Sequence, residues 1–198
     1  VKLVLASANA GKQREFAALL APLGIELLLQ SALGIDSVAE TGTTFEANAL
    51  LKARHAASQA GRPALADDSG LEVDALDGRP GVWSARFAGA AATDADNNAQ
   101  LLAQLAAVPR ERRGARFRCI LALVRSADDA RPLIASGSWE GSIALRPAGD
   151  GGFGYDPLFI PEGHQQTAAE LPPAQKNALS HRARALAALV AQLERGAL

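Results

Sequence analysis

Three stretches of this 198-residue chain predict an α/β fold. Leu3-Val4-Leu5-Ala6 is a short continuous apolar run, the pattern of a strand buried on both faces. It leads through a polar loop into apolar residues at helical spacing. Ala64-Leu65-Ala66 is a second such run, and it ends in Asp67-Asp68-Ser69-Gly70. Phe117, Cys119, Leu121 and Leu123 then alternate with other residues, and residues 133–145 return as extended chain, so a long two-stranded ribbon is expected. The chain is 48% hydrophobic, enough to bury a real core, and its length suits one domain or one large core with a lobe.

Taken in order, Ser7-Ala8-Asn9-Ala10-Gly11-Lys12 follows the first strand. Phe16, Leu19, Leu20 and Leu23 give the helix its face and Gly24 ends it. Free backbone N–H groups and the helix dipole suit this junction to phosphate. The same residues also read as a plain N-cap by Ser7 or Asn9. The loop is not a Walker A motif, because Ala6 and Gln13 stand where glycine and Ser or Thr are required. Residues 25–29 read as a strand, and 30–42 as a loop containing Glu40. Thr43-Thr44-Phe45-Glu46 reads as a capping box opening a helix whose apolar face is Phe45, Ala49, Ala53 and Ala56. Asn48, Lys52 and His55 run along the edge of that face. They form either a solvated flank or a stripe that sets Lys52 over the same phosphates as Lys12.

The third strand is expected over 63–67. In an open α/β sheet ligands sit outside the carboxyl ends of strands, where paired carboxylates can hold a hard cation such as Mg2+. Glu40 is a candidate second ligand. The alternative is an ordinary polar turn with Gly70 at positive φ. Residues 77–81 read as a turn, and 82–87 carry aromatic side chains in no evident state. Leu101, Leu102 and Leu105 mark a helix that stops before Pro109. Asp128-Asp129 marks a turn, and Gly137 and Gly141 read as bulges in the strand that follows. In Gly151-Gly152-Phe153-Gly154-Tyr155-Asp156-Pro157 the glycines permit close backbone approach to a ligand. Phe153 and Tyr155 offer ring faces, unless the segment is a turn with buried aromatics. Leu179, Ala183, Leu186, Val190 and Leu193 give the last helix one face, with Lys176, Asn177, Ser180, His181 and Arg182 clustered at its start.

Composition narrows the functions open to the chain. A net charge of -1 argues against a nucleic-acid groove built on a general basic field, so a polyanion must be met by local cations or a metal. Cys119 is the only cysteine, which excludes an intrachain disulfide or a cysteine zinc cluster and reads as core. No apolar run is long enough to cross a bilayer and nothing resembles a signal peptide, so a cytoplasmic protein with no membrane partner is expected. Lys2, Lys12, Lys52 and Lys176 are the only lysines in an arginine-rich chain, a hint that compact ammonium groups are kept where needed.

Six motifs in order resemble the inosine/xanthosine triphosphate pyrophosphatase family. They are Ser7-x-Asn9-x-x-Lys12, Glu40-x-Gly42-x-Thr44-Phe45-x-x-Asn48-Ala49-x-x-Lys52-Ala53 and Ala66-Asp67-Asp68-Ser69-Gly70-Leu71. Pro80-Gly81-Val82-x-Ser84-Ala85-Arg86, Gly152-Phe153-Gly154-Tyr155-Asp156-Pro157 and Lys176-Asn177-x-x-Ser180-His181-Arg182 complete the set. Departures are small: Trp83 stands for the usual tyrosine, Ala90 and Ala91 replace more polar residues, and residues 172–175 lack acidic side chains. The resemblance implies one domain with an elongated mixed sheet flanked by helices and two lobes around a nucleotide cleft, assembled as a homodimer. It implies Mg2+-dependent hydrolysis of purine nucleoside triphosphates such as ITP, dITP and XTP to monophosphate and pyrophosphate. Under it, Asp68 is the general base and, with Glu40, a metal ligand, while Asp67 supports. Ser7 to Lys12, Lys52 and Ser69 face the triphosphate. Phe153, Gly154 and Tyr155 meet the base, and Lys176, His181 and Arg182 surround its edge, held by Asp156. A nucleotide sensor without turnover and a pyrophosphatase for pyrimidine or methylated nucleotides are the competing readings.

Overall fold

Alternate residues of the first strand serve two different cores. The structure, a computed structural model, describes residues 2–195. In β1 (Lys2–Leu5), Leu3 and Leu5 join a cluster with Phe16 and Leu20 of α1 (Ala10–Leu20). Val4 turns the other way, toward Ala49, Ala53, Ala56 and Ala57 of α2 (Phe45–Ala60). Two-face burial is why the strand has no polar alternation. Alanine along α2 lets its backbone lie close to the sheet, and Gly61, at φ 60, ends the helix in the left-handed region.

The sheet is six-stranded in the order β2-β1-β3-β4-β5-β6, with β2 Glu26–Leu29, β3 Ala64–Val73, β4 Gly114–Val124, β5 Leu133–Ile143 and β6 Phe159–Pro161. β1 runs parallel to β2 and β3, whereas β6 is antiparallel to β5, so the sheet is mixed, as expected. The remaining helices are α3 (Asp94–Gln104), α4 (Pro173–Leu179) and α5 (His181–Glu194).

The chain forms two units. The first holds residues 2–68, 119–137 and 182–195 of the described chain, and the second Ser69–Arg118 and Ser138–His181. In the first, the α5 residues Ala185, Leu186 and Leu189 pack with α1 against Leu65, Cys119 and Leu121. Cys119 is fully buried there, in agreement with its reading as core. In the second, Leu101 of α3 and Leu105 pack on Leu71, Val73, Phe117, Trp139 and Phe159.

Several local expectations are corrected. β3 does not stop at residue 67 but continues through the Asp-Asp-Ser-Gly motif to Val73, and Gly70 is not at positive φ. The helix α2 is capped by Thr44, whose hydroxyl accepts from the Ala47 N–H, and not by a Thr43/Glu46 box. A true capping box occurs instead at Thr93 and Asp96, at the start of α3. The segment around Trp83 is a 3-10 helix, Gly81–Arg86. The last helix is two: Ser180 is extended (φ -66, ψ 159) and divides α4 from α5. Leu179 consequently packs in the second unit's core, while Leu186 belongs to the first unit's.

β5 runs through both Gly137 and Gly141. Gly141 stays in register opposite Pro161, and it is glycine because a Cβ there would lie 2.3 Å from the Ile160 carbonyl oxygen and 2.6 Å from the Phe159 ring. Gly141→Ala is therefore expected to force β6 away from β5 and to cost about 2 kcal/mol of stability, as overpacking does. Urea denaturation checks this; an unchanged midpoint would mean that β6 yields freely.

Candidate active site

The first unit collects three cationic side chains and four carboxylates around the middle of β3. Successive side chains of a strand leave on opposite sides. Asp67 follows the face of Leu65, toward α1 and α5, and Asp68 the face of Ala66, toward α2. On the α1 side, Lys12 Nζ lies 2.8 Å from Asp67 Oδ2. Arg182 Nη1 donates to Glu15 Oε2 at 2.7 Å, and its Nε stands 3.8 Å from Asp67 Oδ2. On the α2 side, Lys52 Nζ lies 2.6 Å from Glu40 Oε1 and 3.2 Å from Asp68 Oδ1. Asn48 Nδ2 donates to Asp68 Oδ2 at 3.1 Å, while its Oδ1 accepts from the Gly42 N–H at 2.8 Å. A side chain at Gly42 would put a Cβ 2.6 Å from that same Oδ1. Asn48, completely buried, thus orients Asp68 and fixes the chain two residues beyond Glu40.

The loop after β1 is built by local bonds. Asn9 caps α1, its Oδ1 accepting from the Lys12 N–H at 2.9 Å. Ser7 Oγ accepts from the Asn9 N–H, and Gln13 Nε2 donates to the Ser7 carbonyl at 2.7 Å. Ala8, Asn9 and Ala10 remain exposed and Gly11 is buried. Capping and an anion-binding helix start, posed as alternatives in the sequence, are compatible here, because the cap uses one N–H of the first turn.

The two aspartates differ in acidity. Burial pushes Asp67 up, but Lys12, Arg182 and Lys52 together outweigh it and hold its carboxyl well below the usual carboxylate range. Burial also pushes Asp68 up, and there it prevails: Lys52 and Lys12 pull down, Glu40 pushes up with it, and the net shift is upward. Lys52 is lowered by burial but raised more by Asp67, Asp68 and Glu40, so its ammonium is retained. Asp67 is a fixed anion and a poor base. Asp68 is the carboxylate with proton affinity to spare.

Glu40 and Asp68 converge on one ammonium, so oxygen donors and a cation already meet at that point. Among the described residues no three His, Cys, Asp or Glu side chains gather as a ready-made metal cage. Two carboxylates fit an ion such as Mg2+, which is commonly held by one or two carboxylates together with substrate phosphates.

In the second unit, Asp156 organises the glycine-rich loop. Its Oδ2 accepts from the Phe153 N–H at 2.9 Å and from Lys176 Nζ at 2.6 Å, with both charged groups buried. Gly152, at φ +75, has no room for a Cβ, which would fall 2.1 Å from that oxygen. Lys176 also lies over the Phe153 ring, 5.0 Å from its centroid. Tyr155 is core: it is buried and its hydroxyl donates to the Ser84 carbonyl at 2.8 Å. Its ring therefore offers no face to a ligand. His181 stacks on Phe117 at 4.9 Å, and Ser69 is half-buried at the first position of this unit on β3. Arg182 stands with Glu15 and Asp67 in the first unit. Glu15 was not singled out from sequence; its signal is a carboxylate beside Phe16 on the buried side of α1.

The model of the Ham1 family matches residues 3–192. The chain belongs to the Ham1 family. It is similar to the dITP/XTP pyrophosphatase of Methylococcus capsulatus, 58% identical over 97% of this chain and 96% of that one. The dITP/XTP pyrophosphatase of Shigella flexneri is 53% identical over 98% of this chain and 99% of its own. Among solved structures, a HAM1 protein from Coxiella burnetii superposes with a TM-score of 0.90 at 48% identity, covering 99% of this chain and 100% of that one. The resemblance drawn from the six motifs is borne out by these relatives, and the Ham1-family neighbours bear out the mixed α/β fold.

The opposite shifts of Asp67 and Asp68 have opposite consequences for stability. Asp67, lowered, stabilises the fold above its unfolded pKa near 3.8, and that contribution is lost only as pH falls through its folded value. Asp68, raised, favours the fold when protonated and loses that contribution as pH rises through its folded value, so its charge opposes folding at neutral pH. At pH 7, Asp67→Asn is expected to cost about 3 kcal/mol by stranding buried cations, whereas Asp68→Asn leaves stability unchanged or improves it. Thermal melts of both variants decide it; equal losses would mean that the two carboxylates share one environment.

Proposed function

We propose that the chain is a nucleoside triphosphate pyrophosphatase that hydrolyses non-standard purine nucleotides, ITP, dITP and XTP, to the monophosphate and pyrophosphate. Relatives named dITP/XTP pyrophosphatase, matched over nearly their full length, support the reaction. The observation that carries the residue roles is the pair Glu40 and Asp68 meeting at Lys52, close in the fold to Lys12 and Asp67.

Asp68 is the proposed general base, since it alone of the two aspartates keeps a raised proton affinity. Asn48 aims its carboxylate and leaves Oδ1 toward Lys52. Lys12, Lys52 and the backbone of the exposed Ala8 and Ala10 neutralise the triphosphate, whose charge a chain of net -1 must meet locally. Glu40 and Asp68 would hold Mg2+, which when bound supplies Lewis-acid polarisation of a phosphate oxygen. Asp67, pinned by Lys12 and Arg182, keeps both cations in place. In the second unit, Phe153 is the proposed stacking face for the base, and Lys176 and His181 the proposed readers of its keto edge. An enzyme that removes deaminated purines from the nucleotide pool is the proposed setting, as a cytoplasmic homodimer. Among the described residues no helix is long and apolar enough to cross a membrane.

The test is pyrophosphate release from ITP, XTP, ATP and a pyrimidine triphosphate, with Mg2+ and with EDTA. Activity on ITP and XTP that EDTA abolishes is expected. Asp68→Asn should lower kcat by about 10²-fold or more with the fold intact. Near-normal turnover in that variant would remove Asp68 from the role of base.

A further inference from the structure

The base-stacking role proposed for Phe153 requires its loop to be rigid, yet the loop is glycine-rich and Gly154 sits at φ +61 with open space around it. Its order must come from bonds to something fixed. The Gly154 N–H donates to Asp94 Oδ2 at 2.7 Å, and the Gly154 carbonyl accepts from Asn98 Nδ2 at 2.9 Å. Asp94 and Asn98 are one turn apart on α3, so the same helix face grips the peptide groups on both sides of Gly154. The peptide joining Phe153 to Gly154 is thereby held from one end by Asp94, while the Phe153 N–H is held by Asp156.

We infer that Asp94 and Asn98 are positioning residues that clamp Gly154 and so set the Phe153 ring for the purine base, an inference that rests on the function proposed above. Two observations set this apart from ordinary helix stabilisation. The start of α3 is already capped by Thr93 and Asp96, whose reciprocal bonds measure 3.2 and 2.8 Å, so the Asp94 carboxylate is not needed as a cap. Asn97 next door spends its amide on Ala85 and Ala88. Asn98, by contrast, bonds only the loop: its Oδ1 is buried without a hydrogen-bond partner among the described residues. The Asn98 amide N–H is thus committed to the loop.

Three variants test the clamp: Asp94→Ala, Asn98→Leu, which keeps volume and loses the donor, and Asp94→Asn, which keeps an acceptor and loses the charge. Amide hydrogen exchange over residues 152–156 and the kcat and KM for ITP are measured on each, with melting curves as the control for folding. Asp94→Ala and Asn98→Leu should speed exchange in the loop and raise KM roughly tenfold, the worth of one hydrogen bond, with kcat within about twofold of wild type. Asp94→Asn should restore both readouts. Faster exchange with unchanged KM overturns the positioning role, as does unchanged exchange in folded variants. If Asp94→Asn fails as Asp94→Ala does, charge at the helix start is what matters and the clamp is overturned. A wild-type protein that does not turn over ITP removes the proposed function itself, and this inference with it.

Discussion

Two carboxylates adjacent in a β-strand must leave it on opposite sides, and that constraint shapes the polar interior of the first unit. Were Asp67 and Asp68 in a turn, they could share one cation. Because β3 continues through them, each meets its nearest cation on its own side of the strand. Asp67 receives Lys12 from α1 and Arg182 from α5; Asp68 receives Lys52 and Asn48 from α2. Three helices are thus tied to one strand by charge as well as by apolar packing. One aspartate becomes a permanent anion and its neighbour a group able to take a proton, although the two are identical in chemistry.

Much of this was legible in the sequence where the signal is local. The apolar run of β1, the cap at Asn9 and the alternation of β4 follow from spacing and residue type. Failures came where two local rules competed. Asp-Asp-Ser-Gly has turn composition, and only burial on both sides of β3 makes it strand. Thr43 and Glu46 have capping-box spacing, but the preceding loop lets Thr44 reach the helix first. The continuous period from Leu179 to Leu193 hid the break at Ser180, since an apolar face that changes core mid-way leaves its spacing unaltered.

Residues that act at a distance in sequence were the hardest to find. Asn48 looked like part of a helix flank, yet it links Gly42 to Asp68. Tyr155 looked like a ligand face because it lies between Gly154 and Asp156, yet its hydroxyl is taken by Ser84. In both cases the deciding partner lies on another element, and no periodicity reports it. Glycine was more informative: at Gly42, Gly141 and Gly152 the missing Cβ marks a place where another group has taken the space.

The polypeptide passes from one unit to the other after residues 68, 118, 137 and 181. Neither unit is therefore a continuous stretch of chain, and no single cut yields a fragment with a whole core. Leu5 pairs with Leu65 across sixty positions, and α5, last in sequence, completes the cluster begun by β1 and α1. Many of the packing contacts join residues far apart in sequence, so loop-closure entropy must be met before they can form. During synthesis the N-terminal strands and helices emerge well before the C-terminal helix that covers them. The apolar face of α1 and β1 must then wait for α5, the interval in which a folding helper would matter most.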